Sequence, residues 1–149
     1  MVEARNIQDL SKINAVIHDM SFDISQIEFD AKANRLTIPF DYQDESQARI
    51  TKAGLFIKSY VLPVYRGSLL VDATRSFSLV DTEEVGTYKF NTIKYDPNRK
   101  KLTVQATVPL QLEADVDELS VSIETSNEKV GEHERKKFLL FEFDKTQKK

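Results

Sequence analysis

A twelve-residue pattern in this chain returns 66 positions later with the same apolar rhythm, and that return narrows what the chain can fold into. Ile27, Phe29, Leu36 and Ile38 carry the first copy, and Ile93, Tyr95, Leu102 and Val104 carry the second. Between its apolar pairs each copy holds a polar stretch opened by an aspartate, Asp30 or Asp96. Alternation on both sides of such a stretch predicts two half-buried strands joined by a turn, because side chains two apart share a face. The aspartate can accept from turn N–H groups, Asn34 tolerates a left-handed backbone, and Pro97 presets the turn angle of the second copy. Across residues 22–38 and 88–104 only Ile, Asp, Leu and Thr are identical, four of seventeen positions. Two readings stay open: an internal duplication with pseudo-repeats 6–75 and 76–144 sharing one core, or two ordinary hairpins that converged on similar turn chemistry.

The rest of the chain is consistent with a β domain. Ile7, Leu10, Ile13 and Ile17 recur at three- and four-residue steps, which predicts one helix over 6–17 with Asn6 as its cap and Asp9 near its positive end. Phe22 and Ile24 fall out of step with Ile27 and Phe29, and the junction at Ser25 and Gln26 reads as a bulge. Pro39 inside the second strand implies an edge or a ladder position that needs no donor. Residues 41–47 read as a loop. The stretch from Leu55 to Val64 reads as a strand, 65–68 as a turn and Leu69 to Val71 as a returning strand. Phe77 and Leu79 mark a further short strand, and 81–85 a single capped turn. Leu110 to Val116 and Leu119 to Ile123 alternate again, 125–135 reads as a long polar loop, and a last strand around Phe138 and Leu140 precedes the basic tail 145–149. The expected fold is mainly β: a single domain over 1–149, an antiparallel β-sandwich or barrel of about eight strands, with an N-terminal helix over it.

Composition excludes more than it assigns. With no cysteine among 149 residues, disulfide frameworks, thiolate nucleophiles and cysteine zinc sites are out. Only His18 and His133 remain as typical transition-metal ligands, far apart in sequence. A net charge of -3 gives no general attraction to nucleic acid or anionic lipid. No run approaches the length of a membrane span, and the N-terminal residues lack the pattern of a secretory signal, so a cytoplasmic location is expected. No nucleophile elbow, Walker loop, dinucleotide fingerprint or zinc-protease motif occurs.

The candidate site residues are His18 and Asp19, an adjacent pair suited to acid–base work or specific binding. Against that stands a structural role in the helix exit, since neighbouring side chains diverge on a helix or strand. Ile17-His18-Asp19, followed by Ile27 to Asp30 and Leu36-Thr37-Ile38, resembles the opening of small β-rich bacterial domains, some of them immunity proteins of contact-dependent toxin systems. That resemblance implies a non-enzymatic binding role and transfers no catalytic residue. Carboxylates cluster at Asp81 to Glu84 and Glu113 to Glu118, where Asp115 and Asp117 are expected to share a strand face. Cation binding is one reading of them, and a solvated face that limits edge pairing is the other. Basic runs at 99–101 and 135–137 would form an anionic-ligand patch beside Tyr95 or Phe138, or act as gatekeepers before strands.

The expectation is a cytoplasmic protein-interaction or immunity-like accessory module that needs no cofactor, binds an unidentified protein or its own copy, and engages neither membrane nor nucleic acid. The alternative is a small-molecule-binding or carboxylate-dependent hydrolytic β-barrel, which requires a deep polar pocket in place of a Phe- and Leu-filled interior. In an oligomer, the stretch from Leu55 to Val64 is the expected strand to pair across a two-fold.

Overall fold

A computed structural model describes residues 2–43, 49–53, 57–81, 84–138 and 142–143 of the chain. The fold is mainly β with one helix, as the alternation requires. In chain order the elements are β1 (Val2–Ala4), α1 (Ile7–Ile17), β2 (Ser21–Asp23), a 3-10 turn (Ile24–Gln26), β3 (Glu28–Asp30), β4 (Arg35–Gln43), β5 (Arg49–Ala53), β6 (Ile57–Val71), β7 (Thr74–Val80), β8 (Thr87–Asp96), β9 (Lys101–Ala106), β10 (Gln111–Val116), β11 (Val121–Phe138) and β12 (Glu142–Phe143). Contacts divide the chain into two compact units, residues 1–40 with 67–125, and residues 41–66 with 126–149.

In the larger unit the strands follow the open order β1-β11-β6-β4-β2-β8-β9-β10-β7, with β3 paired to β4. Each described register is antiparallel. The arrangement agrees with a sandwich- or barrel-like mainly-β fold. The two copies of the repeated pattern are hairpins in the same register. Glu28 faces Thr37, Phe29 faces Leu36 and Asp30 faces Arg35, while Lys94 faces Thr103, Tyr95 faces Leu102 and Asp96 faces Lys101. The turns match as well. Asp30 Oδ1 accepts from the N–H groups of Lys32 and Ala33, and Asp96 Oδ1 from those of Asn98 and Arg99. Each turn closes on a left-handed residue, Asn34 at φ 53° and Lys100 at φ 51°.

The two hairpins meet at a local two-fold. Phe22 on β2 pairs with Tyr88 on β8, its counterpart 66 positions on, flanked by Ser21 with Lys89 and Asp23 with Thr87. Ile24 N–H donates to Gly86 O at 3.0 Å, and Phe90 N–H donates to Met20 O at the same distance. These two bonds exchange under the same 66-residue shift. The out-of-step junction lies at the same place in both copies, as the 3-10 turn in the first and as a register shift between Phe90 and Thr92 in the second. Pro39 falls two residues beyond the last β3–β4 pair, Glu28 with Thr37, where the 3-10 turn has replaced the β3 ladder.

Apolar side chains fill the interior of this unit. Phe22 stacks on Phe90 with ring centroids 4.3 Å apart, and Phe40 meets Phe90 edge-on at 6.1 Å. Leu36, Ile38, Leu69, Ile93, Leu102, Val104 and Leu112 are buried around them. A fully buried side chain of this size contributes about 1.5–3 kcal/mol. Asn6 caps α1 by accepting from Asp9 N–H at 2.8 Å. Leu10, Ile13 and Ile17 bury the helix stripe, but Ile7 does not join it and is 52% exposed. Asn14 fastens α1 to β8, donating from Nδ2 to Ile93 O at 3.1 Å and accepting from Ile93 N–H at 2.7 Å.

Three expected loop segments differ from the structure. Residues 65–68 are no turn, because β6 runs unbroken through them. Gly67 serves close packing there: a Cβ would lie 2.7 Å from the Phe40 ring and 3.1 Å from Glu124 O. Residues 125–135 form strand, since polar side chains suit a strand with exposed faces as well as they suit a loop. Part of the 41–47 loop, through Gln43, continues β4, and its remainder lies outside the described residues. The strand count also exceeds eight, because short pieces such as β1 and β5 carry too few residues to show a period.

In the smaller unit, β5 pairs with β6 from Arg49 with Val61 to Ala53 with Lys58. β5 therefore fills one edge of this β6 segment, which lies within the stretch expected to join copies across a two-fold. β11 pairs with β12. Arg66 Nε lies 3.3 Å from Asp41 Oδ1, Ser126 Oγ donates to Arg66 O, and Arg49 reaches Glu132 at 3.2 Å.

Candidate functional site

His18 and Asp19 form the exit of α1. His18 N–H donates to Asn14 O at 3.1 Å, and Asp19 N–H donates to Phe90 O at 2.9 Å. Asp19 takes a left-handed backbone at φ 66°, which reverses the chain into β2. Such a residue carries strain of about 1–3 kcal/mol. His18 Nδ1 lies 3.2 Å from Asp19 Oδ2, with both side chains more than half exposed. The pair is thus brought together as a surface contact at a chain reversal, and it lines neither concavity described below. A solvated pair of this kind has little means to hold a substrate in a fixed geometry.

Two concavities open on either side of Tyr95. The first, about 470 Å³, has Ile7, Tyr95, Pro97 and Leu119 among its walls, with Arg5, Gln8, Asp117 and Glu118 beside them. The second, about 290 Å³, lies among Lys94, Tyr95, Arg99, Lys101, Thr103 and Glu113. The sequence supplies this arrangement locally. Tyr95 is the last aromatic of β8 before the turn, Pro97 opens the turn, and the cap at Asn6 leaves Ile7 in the first helical turn outside the buried stripe.

The charges on this face are interleaved. Lys101 Nζ lies 3.4 Å from Glu113 and 3.7 Å from Asp115, and Ser76 Oγ donates to Asp115 at 3.0 Å. Arg75 Nε lies 2.9 Å from Asp117 Oδ1. The 99–101 run does lie beside Tyr95, yet only Lys101 is in a strand, where it faces carboxylates. Asp115 and Asp117 do not share a strand face, because β10 ends at Val116 and Asp117 turns to Arg75. Among the described residues no group of acidic and histidine side chains could hold a metal ion. The side chains of 133–138, with His133, the second basic run and Phe138, and the residues Leu140 and 145–149, lie outside the described residues, as do positions 82 and 83 of the expected capped turn.

Comparisons with protein families, curated proteins and solved structures give no match. The geometry has to carry the reading. It moves attention from His18 and Asp19 to Ile7 and Tyr95, an apolar pair within a ring of alternating charge. Ile7 was misread because the helical period alone assigns it to the buried stripe. The signal that separates it is its position next to the cap, at the end of the helix where packing runs out.

Proposed function

We propose that this chain is a non-enzymatic protein-interaction module, an immunity-like accessory protein of the cytoplasm, and that it meets its partner through the Tyr95 face. The observation that carries the reading is the exposed Ile7 beside the half-buried Tyr95, inside a polar rim that includes Arg5, Gln8, Arg99 and Glu118. Apolar and aromatic anchors surrounded by polar side chains are how protein interfaces concentrate their binding energy. A filled interior supports the same reading. Phe22, Phe40 and Phe90 occupy the middle of the larger unit, where a ligand-holding barrel needs space and convergent polar groups.

The test is affinity purification of the full chain followed by titration of the recovered partner. Tyr95→Ala and Ile7→Asp are expected to weaken binding at least about tenfold while the melting temperature changes little, as for truncated interface anchors. His18→Ala is expected to leave affinity unchanged. The proposal fails if no macromolecular partner is recovered, or if a recovered partner binds the Tyr95 and Ile7 variants as well as the native chain.

A further inference from the structure

The local two-fold sets up a second comparison, between the two ends of the strand order. Outward from the β2–β8 pair, β4 corresponds to β9, β6 to β10, and β11 to β7. On the first side one more strand follows: β1 lies against β11, with Val2 facing Ile123 and Ala4 facing Val121. On the other side the order stops at β7, which among the described residues pairs only with β10. Among the described residues, the position that β1 fills at one end is open at the other.

The open edge is suited to receive a strand. β7 is seven residues long, and beyond Thr74, whose N–H is taken by Asn34 O, Arg75 to Val80 leave about 20 Å of ladder. Native edges are blunted by charge, proline, bulges or shortness. β1 is short, with Glu3 at its centre and Arg5 just beyond it, whereas β7 has one charge, Arg75, already paired with Asp117 at a bulge. From Ser76 to Val80 it carries no charge, proline or glycine. Its inward residues end two apolar rows, Val104–Leu112–Leu79 and Leu102–Ala114–Phe77. Both rows are buried until they reach β7, where Leu79 and Phe77 are only partly covered, Phe77 by the Phe29 ring at 5.5 Å.

We propose that β7 pairs antiparallel with β7 of a second copy of this chain, forming a two-fold dimer through that edge. The strand is complementary to itself. A two-fold at Ser78 sets Phe77 opposite Leu79, carries both apolar rows across the junction and brings no like charges together. Edge pairing of this length is a small interface, so the dimer dissociates at about micromolar concentration. β7 adjoins the Tyr95 face through Ser78, which lies across from Glu113, but its self-pairing does not depend on what that face binds.

Sedimentation velocity of the full chain over a concentration series tests the proposal. Native chain is expected to pass from monomer to dimer. Ser78→Lys places a cation at an exposed edge position opposite Glu113, which the fold accommodates, and it is expected to raise the dissociation constant at least about tenfold with the melting temperature preserved. Mixing Ser78→Lys with Ser78→Glu is expected to restore a dimer, since the two positions face each other across the two-fold and opposite charges there attract where like charges repel. Glu3→Lys, at the β1 end, is expected to leave the dimer intact. A chain that stays monomeric to millimolar concentration overturns the proposal, and so does a dimer that Ser78→Lys leaves unchanged. If the native chain is monomeric and Ser78→Lys abolishes capture of a different protein, the edge takes a foreign strand and self-pairing is wrong.

Discussion

The two hairpins that meet at the β2–β8 pair share turn, register and closing residue, yet they use their outermost aromatic differently. Phe29 in the first copy lies against Phe77, while its counterpart Tyr95 lines two open concavities. The difference arises from what surrounds each turn. Beside the first, β7 brings Phe77 and Thr74, whose N–H donates to Asn34 O. Beside the second, the capped end of α1 brings Ile7, which lines the first concavity with it. The same local chemistry therefore builds a ring contact in one place and the wall of two open concavities in the other. Shared features report folding, and the face proposed above for a partner lies where the copies diverge.

The largest expected effect tests whether the copies share one core. Phe22 and Phe90 stack across the two-fold, so Phe22→Ala or Phe90→Ala is expected to cost about 3–5 kcal/mol in urea unfolding. The double variant is expected to cost less than the sum, since each removes the other's contact. Strictly additive losses would mean that the copies pack independently. A second effect is confined to the first copy. Gly67→Ala forces a methyl against Phe40 and is expected to cost about 1–3 kcal/mol, with part recovered by Phe40→Leu. The position equivalent to Phe40 is Ala106, so the second copy meets no such crowding. A Gly67→Ala variant as stable as the native chain would show that β6 can shift.

A smaller effect tests whether the turns are energetically equal. Asp30→Ala and Asp96→Ala each remove an acceptor of two backbone bonds, and each is expected to cost about 1 kcal/mol at the surface. Pro97→Ala adds a loss of about 0.4–1 kcal/mol that the first copy lacks, because proline restricts the unfolded chain. Chemical denaturation of the three variants reads these differences. If Asp30→Ala is silent while Asp96→Ala is not, the matched geometry hides unequal turns.

Much of the fold was legible because it rests on period and turn chemistry. Asn6, Asp30, Asn34 and Asp96 take the roles their residue types imply, and the strands around them alternate as written. What was not legible depends on neighbours far away in sequence. Gly67 reads as a turn former until Phe40 and Glu124 are seen beside it. The 125–135 segment is polar apart from Val130 and Gly131, so no alternation marks it as strand. The candidate face was half visible. Tyr95 with a neighbouring basic run could be read from the sequence, but the approach of Ile7 and the pairing of Lys101 with Glu113 and Asp115 required the fold. His18 and Asp19 drew attention because their residue types suit acid–base work, and suitable types do not by themselves place a pair in a cleft.

The smallest effect lies where the copies differ by a charge. Asp23 opens the 3-10 turn of the first copy, and its counterpart in the second is Lys89. The Ser25 hydroxyl donates to Asp23 Oδ1 at 2.7 Å and the Ser25 N–H at 2.8 Å, and these bonds, the hydroxyl first, hold the Asp23 carboxyl below its ordinary value of 3.8. A lowered carboxylate stabilises the fold at pH values above the unfolded pKa, and that contribution is lost as pH falls through the folded value. Stability should therefore be indifferent to this group near neutrality and decline only in strong acid. Ser25→Ala is expected to return the Asp23 titration, followed by carboxyl NMR, toward 3.8 while leaving the Phe22–Tyr88 pairing intact. If the titration of Asp23 is the same with and without Ser25, the cap does not form in solution. The first copy would then need another cause for breaking into two strands where the second shows only a register shift.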